Sequence, residues 1–160
     1  MLAPSLEQVD GRGEVHQTSL EADSMPSISA RFGENERDVA RHAQVLEDAL
    51  ALTRLDPLRD FIDRVHFPDP ARSSRSDLEQ VARRVSASGY HPCGTAKMGP
   101  ADDPLAVVDQ FGRCHGVGQL VIGDASIMPT VPRANINLST IMVGEKIGEW
   151  LRTEPSRYGL

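Results

Sequence analysis

The sequence predicts an α+β fold, because helical patterns flank several short apolar runs that are typical of strands. Apolar residues recur at helical spacing over residues 34–52 and 138–152. Short apolar runs next to glycine, proline or polar residues lie between and before these stretches. A chain of 160 residues can bury a core without disulfides or metal. With 4 Phe, 2 Tyr and 1 Trp, that core is expected to be aliphatic.

The composition argues against several classes of function. Acidic residues outnumber basic ones by 23 to 17, and the net charge of -6 disfavours binding to nucleic acid. No stretch approaches the ~18 apolar residues of a membrane span, and the start lacks the pattern of a signal peptide. The two cysteines, Cys93 and Cys114, suit a reducing compartment. We therefore expect a cytoplasmic protein without a membrane span.

The first half is predicted to contain two short strands and two helical segments. A glycine turn leads into a strand within residues 10–19, and a second strand is expected over 28–32. A helix is predicted over 34–52, with acidic residues in its first turns, where the helix dipole favours them. Its apolar face comprises Val39, Ala43, Leu46 and Leu50. A shorter helical segment is expected to begin at Pro57.

The second predicted helix of substantial length follows a polar loop. The pattern Ser76-Asp77-Leu78-Glu79 is typical of a capping box, so a helix is expected to start there and to end at Gly89. Short buried strands are predicted at residues 106–108 and 120–122, and a final helix at 138–152. The apolar face of that helix comprises Val143, Ile147, Trp150 and Leu151.

One histidine stands in a stretch whose backbone is restricted. Pro92 disfavours a helical conformation for His91 and thereby holds it on a stiff, extended loop. Histidine is the most common proton acceptor in catalysis, because its pKa is near neutrality. By residue type alone, however, a lone histidine is more often a packed or surface residue. His91 is therefore a candidate base, and a structural role stays open.

Two asparagines, Asn135 and Asn137, immediately precede the last predicted helix. An asparagine there can cap the helix by accepting from its free N–H groups. The same helix end can instead hold negative charge on a ligand. Both roles are compatible, with Asn137 nearer the cap and Asn135 facing a pocket.

Two other patterns are weaker. Two histidines and two cysteines could in principle bind zinc, namely His91, Cys93, Cys114 and His115. The adjacent Cys-His pair and the lack of a CxxC spacing argue against this, so no metal site is predicted. The run 116–118, Gly-Val-Gly, lacks the third glycine of a dinucleotide fingerprint and precedes a strand, so it is predicted to be a turn.

Six segments of the second half form a recognisable set of motifs. They are His91-Pro-Cys-Gly-Thr95, Met98-Gly99, Val107-Val108-Asp109, Gly123-Asp124-Ala-Ser126-Ile-Met128-Pro129, Asn135-Ile-Asn137 and Gly144-Glu145-Lys146. Taken together, these motifs resemble the C-terminal domain of the glucose-methanol-choline (GMC) oxidoreductases, the FAD-dependent alcohol dehydrogenases and oxidases. The asparagine at position 135 makes the chain similar to choline-dehydrogenase-like members.

The resemblance implies a particular architecture. An antiparallel sheet would be covered by helices on one face, and residues 1–103 would form the substrate-domain portion that includes the histidine loop. Residues 104–160 would return to pack on an FAD-binding domain. The Rossmann-type FAD-binding domain that family members carry at their N-terminus is expected to be absent from this sequence, since no Gly-rich strand–turn–helix motif occurs before residue 88.

The resemblance also implies roles for six residues. His91 would act as the base toward a small-molecule alcohol, and Asn135 would hydrogen-bond the same oxygen. Backbone groups of Asp124 and Ala125 would contact the phosphate or ribitol region of FAD. Backbone groups of Ile136 and Asn137 would stabilise negative charge at the flavin N1 and C2 carbonyl.

Two functions remain open from the sequence. The chain could be the catalytic part of an FAD-dependent alcohol oxidoreductase that is inactive without an FAD domain supplied by a second chain. Alternatively, it could be a non-enzymatic remnant or interaction module that associates through uncovered apolar side chains. Those side chains are expected to be Val143, Ile147 and Trp150.

Overall fold

The computed structural model describes residues 4–160, which form two units that divide after Gly89. The first unit holds two strands and two α-helices, and the second, Tyr90–Leu160, is built from turns and one α-helix. The predicted mixture of helices and antiparallel strands is confirmed. The division predicted after residue 103 concerns packing on an FAD domain, and it stays a prediction.

The strands of the first unit form a small antiparallel sheet. Strand β1, Glu14–His16, pairs with β2, Ser27–Ser29, so that Val15 lies opposite Ile28. All six residues are exposed. The predicted layer of helices over one face of this sheet is therefore not seen within residues 4–160.

Two helices supply the core of the first unit. Helix α1 spans Glu36–Leu52, with Asn35 as its N-cap, and buries the apolar face that its spacing predicts. After a 3₁₀ turn at Leu58–Phe61, helix α2 spans Arg75–Val85 and packs on α1. The buried cluster that joins the two helices comprises Ala43, Leu46, Leu50 and Leu78.

The predicted ends of α2 are wrong at both termini. Ser74, in an extended conformation, is the N-cap, and its side chain and that of Asp77 each accept from the other residue's backbone N–H. Ser76 therefore lies inside the first turn. The helix also ends before Gly89, because Ser86 leaves the helical conformation at ψ 130.

The second unit has little regular secondary structure besides its helix. The strands predicted at 106–108 and 120–122 are wrong, since they form only single bridges, such as Val108 with Cys114 and Arg113 with Val121. A 3₁₀ turn at Ala125–Ile127 precedes helix α3, Asn137–Thr153, and a second 3₁₀ turn follows at Pro155–Tyr158. Its core comprises Val108, Ile127 and Ile147.

Helix α3 exposes a different face from the one predicted. Ile147 is buried, and Val143 and Trp150 pack on the same core, with the Trp150 ring edge-on to Phe111 at 5.4 Å. The side chains predicted to be uncovered therefore lie on the face of α3 that packs against the core. The exposed apolar side chains instead are Leu138, Ile141 and Met142. Within residues 4–160, no helix combines the length and apolarity that crossing a membrane requires.

Candidate active site

The loop that carries His91 is held by backbone hydrogen bonds to the 3₁₀ turn at Ala125–Ile127. The N–H groups of Gly94, Ala96 and Met98 donate to the carbonyls of the three turn residues in order, over 3.1, 2.9 and 2.9 Å. At Gly94, φ is +79°, a left-handed conformation that glycine adopts without the strain a Cβ would bring. The half-buried His91 thus lies at the start of an anchored segment.

Asn135 lies two residues before the first residue of α3, and its side chain contacts the start of that helix. Its Oδ1 accepts from the N–H of Asn137, the first helical residue, over 3.0 Å. The N-cap position itself is Ile136, which has no side-chain cap, and Asn137, predicted to lie nearer the cap, is the first helical residue. Ile136, the residue between Asn135 and Asn137, is buried.

The same asparagine contacts the candidate base. Asn135 Nδ2 lies 2.9 Å from His91 Nε2, so the structure brings together the two residues predicted to share one oxygen. Asn135 is exposed and His91 is half-buried, so both side chains can be reached from solvent.

The two hydrogen bonds of Asn135 together indicate which nitrogen of the neutral His91 ring is the acceptor. Because Oδ1 accepts from the Asn137 N–H, the amide NH₂ must be the group that faces the imidazole. An NH₂ group only donates, so Nε2 accepts and carries a lone pair. In the neutral ring the proton is then on Nδ1. This arrangement leaves a basic nitrogen and an N–H donor side by side.

The residues predicted to contact FAD are placed around the same two segments. Asp124 is the N-cap of the turn that anchors the His91 loop, and Ala125 is its first residue. Ile136 is the N-cap of α3, and Asn137 is its first residue. The Asp124 carboxylate itself accepts from the Ser126 N–H over 2.8 Å. Hydrogen bonds from the Ser126 side chain and backbone lower the pKa of Asp124. The sequence analysis predicts a role only for the backbone of Asp124. The contact between its carboxylate and the Ser126 N–H was not predicted, although an Asp-x-Ser pattern can indicate it.

The zinc arrangement is not formed. Among residues 4–160, no group of three or more His, Cys, Asp or Glu side chains is placed to hold a metal ion. His91 contacts Asn135, whereas His115 Nε2 lies 3.0 Å from the Gly99 carbonyl. Burial raises the pKa of the Cys93 thiol. The run 116–118 lies in turns, as predicted.

Comparison with known proteins decides the family. A family model described as GMC oxidoreductase, the C-terminal part of that family, matches residues 10–144. The chain belongs to the GMC oxidoreductase family. It is similar to oxygen-dependent choline dehydrogenase 1 of Chromohalobacter salexigens, with 36% identity over 145 residues, 88% of this chain and 25% of that protein. An oxygen-dependent choline dehydrogenase of Cronobacter sakazakii is 38% identical over the same shares. These matches make it choline-dehydrogenase-like.

Solved structures support the same family. The chain superposes on pyridoxine 4-oxidase from Mesorbium loti with a TM-score of 0.81 and 26% identity, covering 91% of this chain and 28% of that one. A fungal aryl-alcohol oxidase gives a TM-score of 0.75 at 29% identity, covering 87% and 24%. The chain thus spans about a quarter of the length of each relative.

FAD is the cofactor that GMC membership implies, and the described residues suit one end of it. A lone pair on His91 and a donor on Asn135 suit an alcohol next to a hydride acceptor, and the positive end of α3 suits an electron-rich ring carbonyl. The sequence contains no G-x-G-x-x-G motif that would hold the diphosphate. The site therefore fits the reacting end of the cofactor only.

Proposed function

We propose that this chain is the C-terminal catalytic part of an FAD-dependent alcohol oxidoreductase. His91 takes the hydroxyl proton of a small alcohol, and Asn135 holds the same oxygen. The observation that carries this proposal is the 2.9 Å contact between Asn135 Nδ2 and His91 Nε2, with the amide oriented by the Asn137 N–H.

The proposed chemistry follows from the donor and acceptor that face each other. A bound alcohol would replace the direct contact, with its hydroxyl donating to His91 Nε2 and its oxygen accepting from Asn135 Nδ2. As the proton moves to Nε2, negative charge grows on the oxygen, and the Asn135 N–H stabilises it. The carbon then loses a hydride with its electron pair, and the alcohol becomes a carbonyl compound. When bound, FAD would supply the acceptor for this hydride.

Four further residues are proposed to contact the cofactor. The backbone of Asp124 and Ala125 would lie along the phosphate or ribitol region. The backbone of Ile136 and Asn137, at the positive end of α3, would stabilise charge at the flavin N1 and C2 carbonyl. The N–H of Asn137 already donates to Asn135, so the α3 dipole is the larger contribution expected from that residue.

An FAD-binding domain is the proposed partner. Residues 104–160 would pack on it, and the exposed apolar face of α3, at Leu138, Ile141 and Met142, would be covered there. We expect the chain by itself to be colourless and inactive. The names of the relatives refer to choline, pyridoxine and aryl alcohols, which supports a small alcohol as the substrate class.

The test combines this chain with the FAD-binding domain of a choline dehydrogenase relative. Alcohol-dependent bleaching of the flavin should appear in the mixture, and His91→Ala should lower its rate by about 100-fold or more, the usual effect of losing a general base. His66→Gln, at an exposed histidine of the other unit, is the control. Normal bleaching with His91→Ala would show that His91 is not the base.

A second candidate function is an interaction module without activity. The observation that favours it is the exposed apolar face of α3. Self-association would be favoured if the sedimentation coefficient rises with protein concentration. Ile141→Lys should abolish this rise, and addition of the FAD domain should leave it unchanged. Binding to the FAD domain that Ile141→Lys weakens would favour the enzyme.

A further inference from the structure

We infer that the side-chain carboxylate of Asp124 is a positioning residue for the His91–Asn135 pair. This inference rests on the proposed function, and it assigns to the carboxylate a role distinct from the backbone contact with FAD proposed above. Hydrogen bonds connect Asp124 to a short turn and the turn to the loop that carries the His91 imidazole.

The carboxylate shapes the 3₁₀ turn at Ala125–Ile127. Asp124 Oδ1 accepts from the Ser126 N–H over 2.8 Å, and the Asp124 carbonyl accepts from the Ile127 N–H over 3.3 Å. Asp124 itself is extended, with φ -139 and ψ -168, so its side chain serves as the N-cap of the turn. A three-residue turn has few hydrogen bonds of its own. The bond from the Ser126 N–H to the Asp124 carboxylate is therefore a large share of those that hold its conformation.

The shape of the turn decides where the His91 loop lies. All three carbonyls of the turn accept from the loop, at Gly94, Ala96 and Met98. The backbone conformation of the turn sets the direction of each carbonyl. If the turn loses its cap and changes conformation, these carbonyls no longer point at the N–H groups of the loop. The first of them holds Gly94, three residues after His91.

The turn is also linked to the other member of the pair. Ile127 is buried in the core with Ile147 of α3, the helix whose first N–H, at Asn137, donates to Asn135. The turn thus contacts both the His91 loop and the helix that follows Asn135, the two segments that meet at 2.9 Å. If Asn135 Nδ2 and His91 Nε2 move apart by about 1 Å, the hydrogen bond between them is lost.

The test uses the ¹⁵N signals of the imidazole in the intact chain without cofactor, at a pH of about 8.5, where ordinary histidines are neutral. The signal of His91 is assigned by its loss in His91→Gln. In the wild type, Nε2 should show the shift of an unprotonated nitrogen. Asn135→Ala should move it toward the tautomer mixture of a free imidazole.

Asp124→Ala should produce the same spectral change as Asn135→Ala, while Asp124→Asn, which keeps an acceptor at Oδ1, should retain the wild-type signal. Asp102→Ala, at an exposed aspartate of the same unit, is the control. Fluorescence of Trp150 reports whether the unit is folded. If Asp124→Ala unfolds it, Asp124→Ser, with a shorter acceptor, should give an intermediate signal.

The outcomes separate the two proposals. A wild-type signal in folded Asp124→Ala, or loss of the signal in Asp124→Asn, would refute the positioning role alone. An unchanged signal in Asn135→Ala would instead contradict the hydrogen-bonded pair on which the proposed function depends.

Discussion

Asn135 Nδ2 donates to His91 Nε2 over 2.9 Å, although 44 positions separate the two residues in the chain. The amide can do so because its oxygen is engaged by the N–H of Asn137. The side chain that accepts from the first N–H of α3 is therefore also the group that keeps a lone pair on the candidate base.

Asn135→Asp should reverse the protonation of the imidazole. A carboxylate can still accept from the Asn137 N–H but offers the imidazole only an acceptor, so Nε2 must carry a proton to bond with it. The Nε2 lone pair would be lost, and the rate of flavin bleaching with the FAD domain should fall by about 100-fold. The ¹⁵N shift of Nε2 measures the change.

The matched control for that variant is Asn137→Ala. It keeps the backbone N–H that Asn135 accepts, so the His91 signal should stay that of the wild type. A change as large as that in Asn135→Asp would mean that the amide orientation does not depend on the backbone contact.

Two glycines of the second unit should differ in their tolerance of alanine. Both have φ of +75°, which costs an L-residue about 1–2 kcal/mol. At Gly112 a Cβ would also lie 2.4 Å from the Ile122 carbonyl oxygen and 2.8 Å from Ile147 Cδ1, whereas at Gly116 nothing lies within 4 Å. Gly112→Ala should therefore lower the free energy of unfolding by about 3 kcal/mol or more, and Gly116→Ala by about 1.

Urea unfolding followed by Trp150 fluorescence compares these variants, since the chain contains 1 Trp and it lies in this unit. Equal midpoints for Gly112→Ala and Gly116→Ala would contradict the close approach of the Ile122 carbonyl.

The structure and the sequence pattern place the N-cap of α2 at different residues, Ser74 and Ser76. Ser74→Ala should lower helix stability by about 1 kcal/mol, because it removes the acceptor for the Asp77 N–H. Ser76→Ala, at the cap that the sequence pattern suggests, should change stability by less than about 0.5 kcal/mol. Hydrogen exchange of the amides in residues 75–85 distinguishes them, and faster exchange in Ser76→Ala than in Ser74→Ala would favour the original assignment.

Stability of the second unit should depend on the ionisation of Asp109. Burial acts to raise the pKa of Asp109, but hydrogen bonds from Arg113 and the Phe111 N–H outweigh it and lower the pKa. A carboxyl with a lowered pKa in the folded state stabilises that state at pH values above the unfolded pKa, near 3.9. This contribution is lost as the pH falls through the folded pKa.

Asp109→Ala should therefore remove hydrogen bonds and lower the free energy of unfolding by about 2 kcal/mol at pH 7. The difference from wild type should be smaller at an acidic pH below the unfolded pKa, near 3.9. Asp109→Asn keeps the acceptor for the backbone N–H groups and should lose about half as much. Trp150 fluorescence in urea at both pH values is the measurement. A difference that stays constant with pH would show that the charge of Asp109 is not involved.

Local patterns predicted the helices and the two strands of the first unit, β1 within residues 10–19 and β2 at the start of 28–32, but not the structure of residues 106–108 and 120–122. The apolar face of α1 is buried as its spacing indicates, because one side of a helix with a single apolar stripe must pack inward. The segments around Val108 and Leu120 form bridges rather than strands, since strand pairing depends on distant partners that composition does not reveal.

The sequence by itself determined the mixed fold class, the family to which the motifs belong and the residues to consider, because these depend on local spacing and on motifs that recur across the family. Only the tertiary structure decided which side of α3 faces the core, since Leu138, Ile141 and Met142 are as apolar as Val143, Ile147 and Trp150. It also decided how His91 meets Asn135. That contact depends on backbone hydrogen bonds between two segments far apart in the chain, whose geometry arises only when the chain has folded.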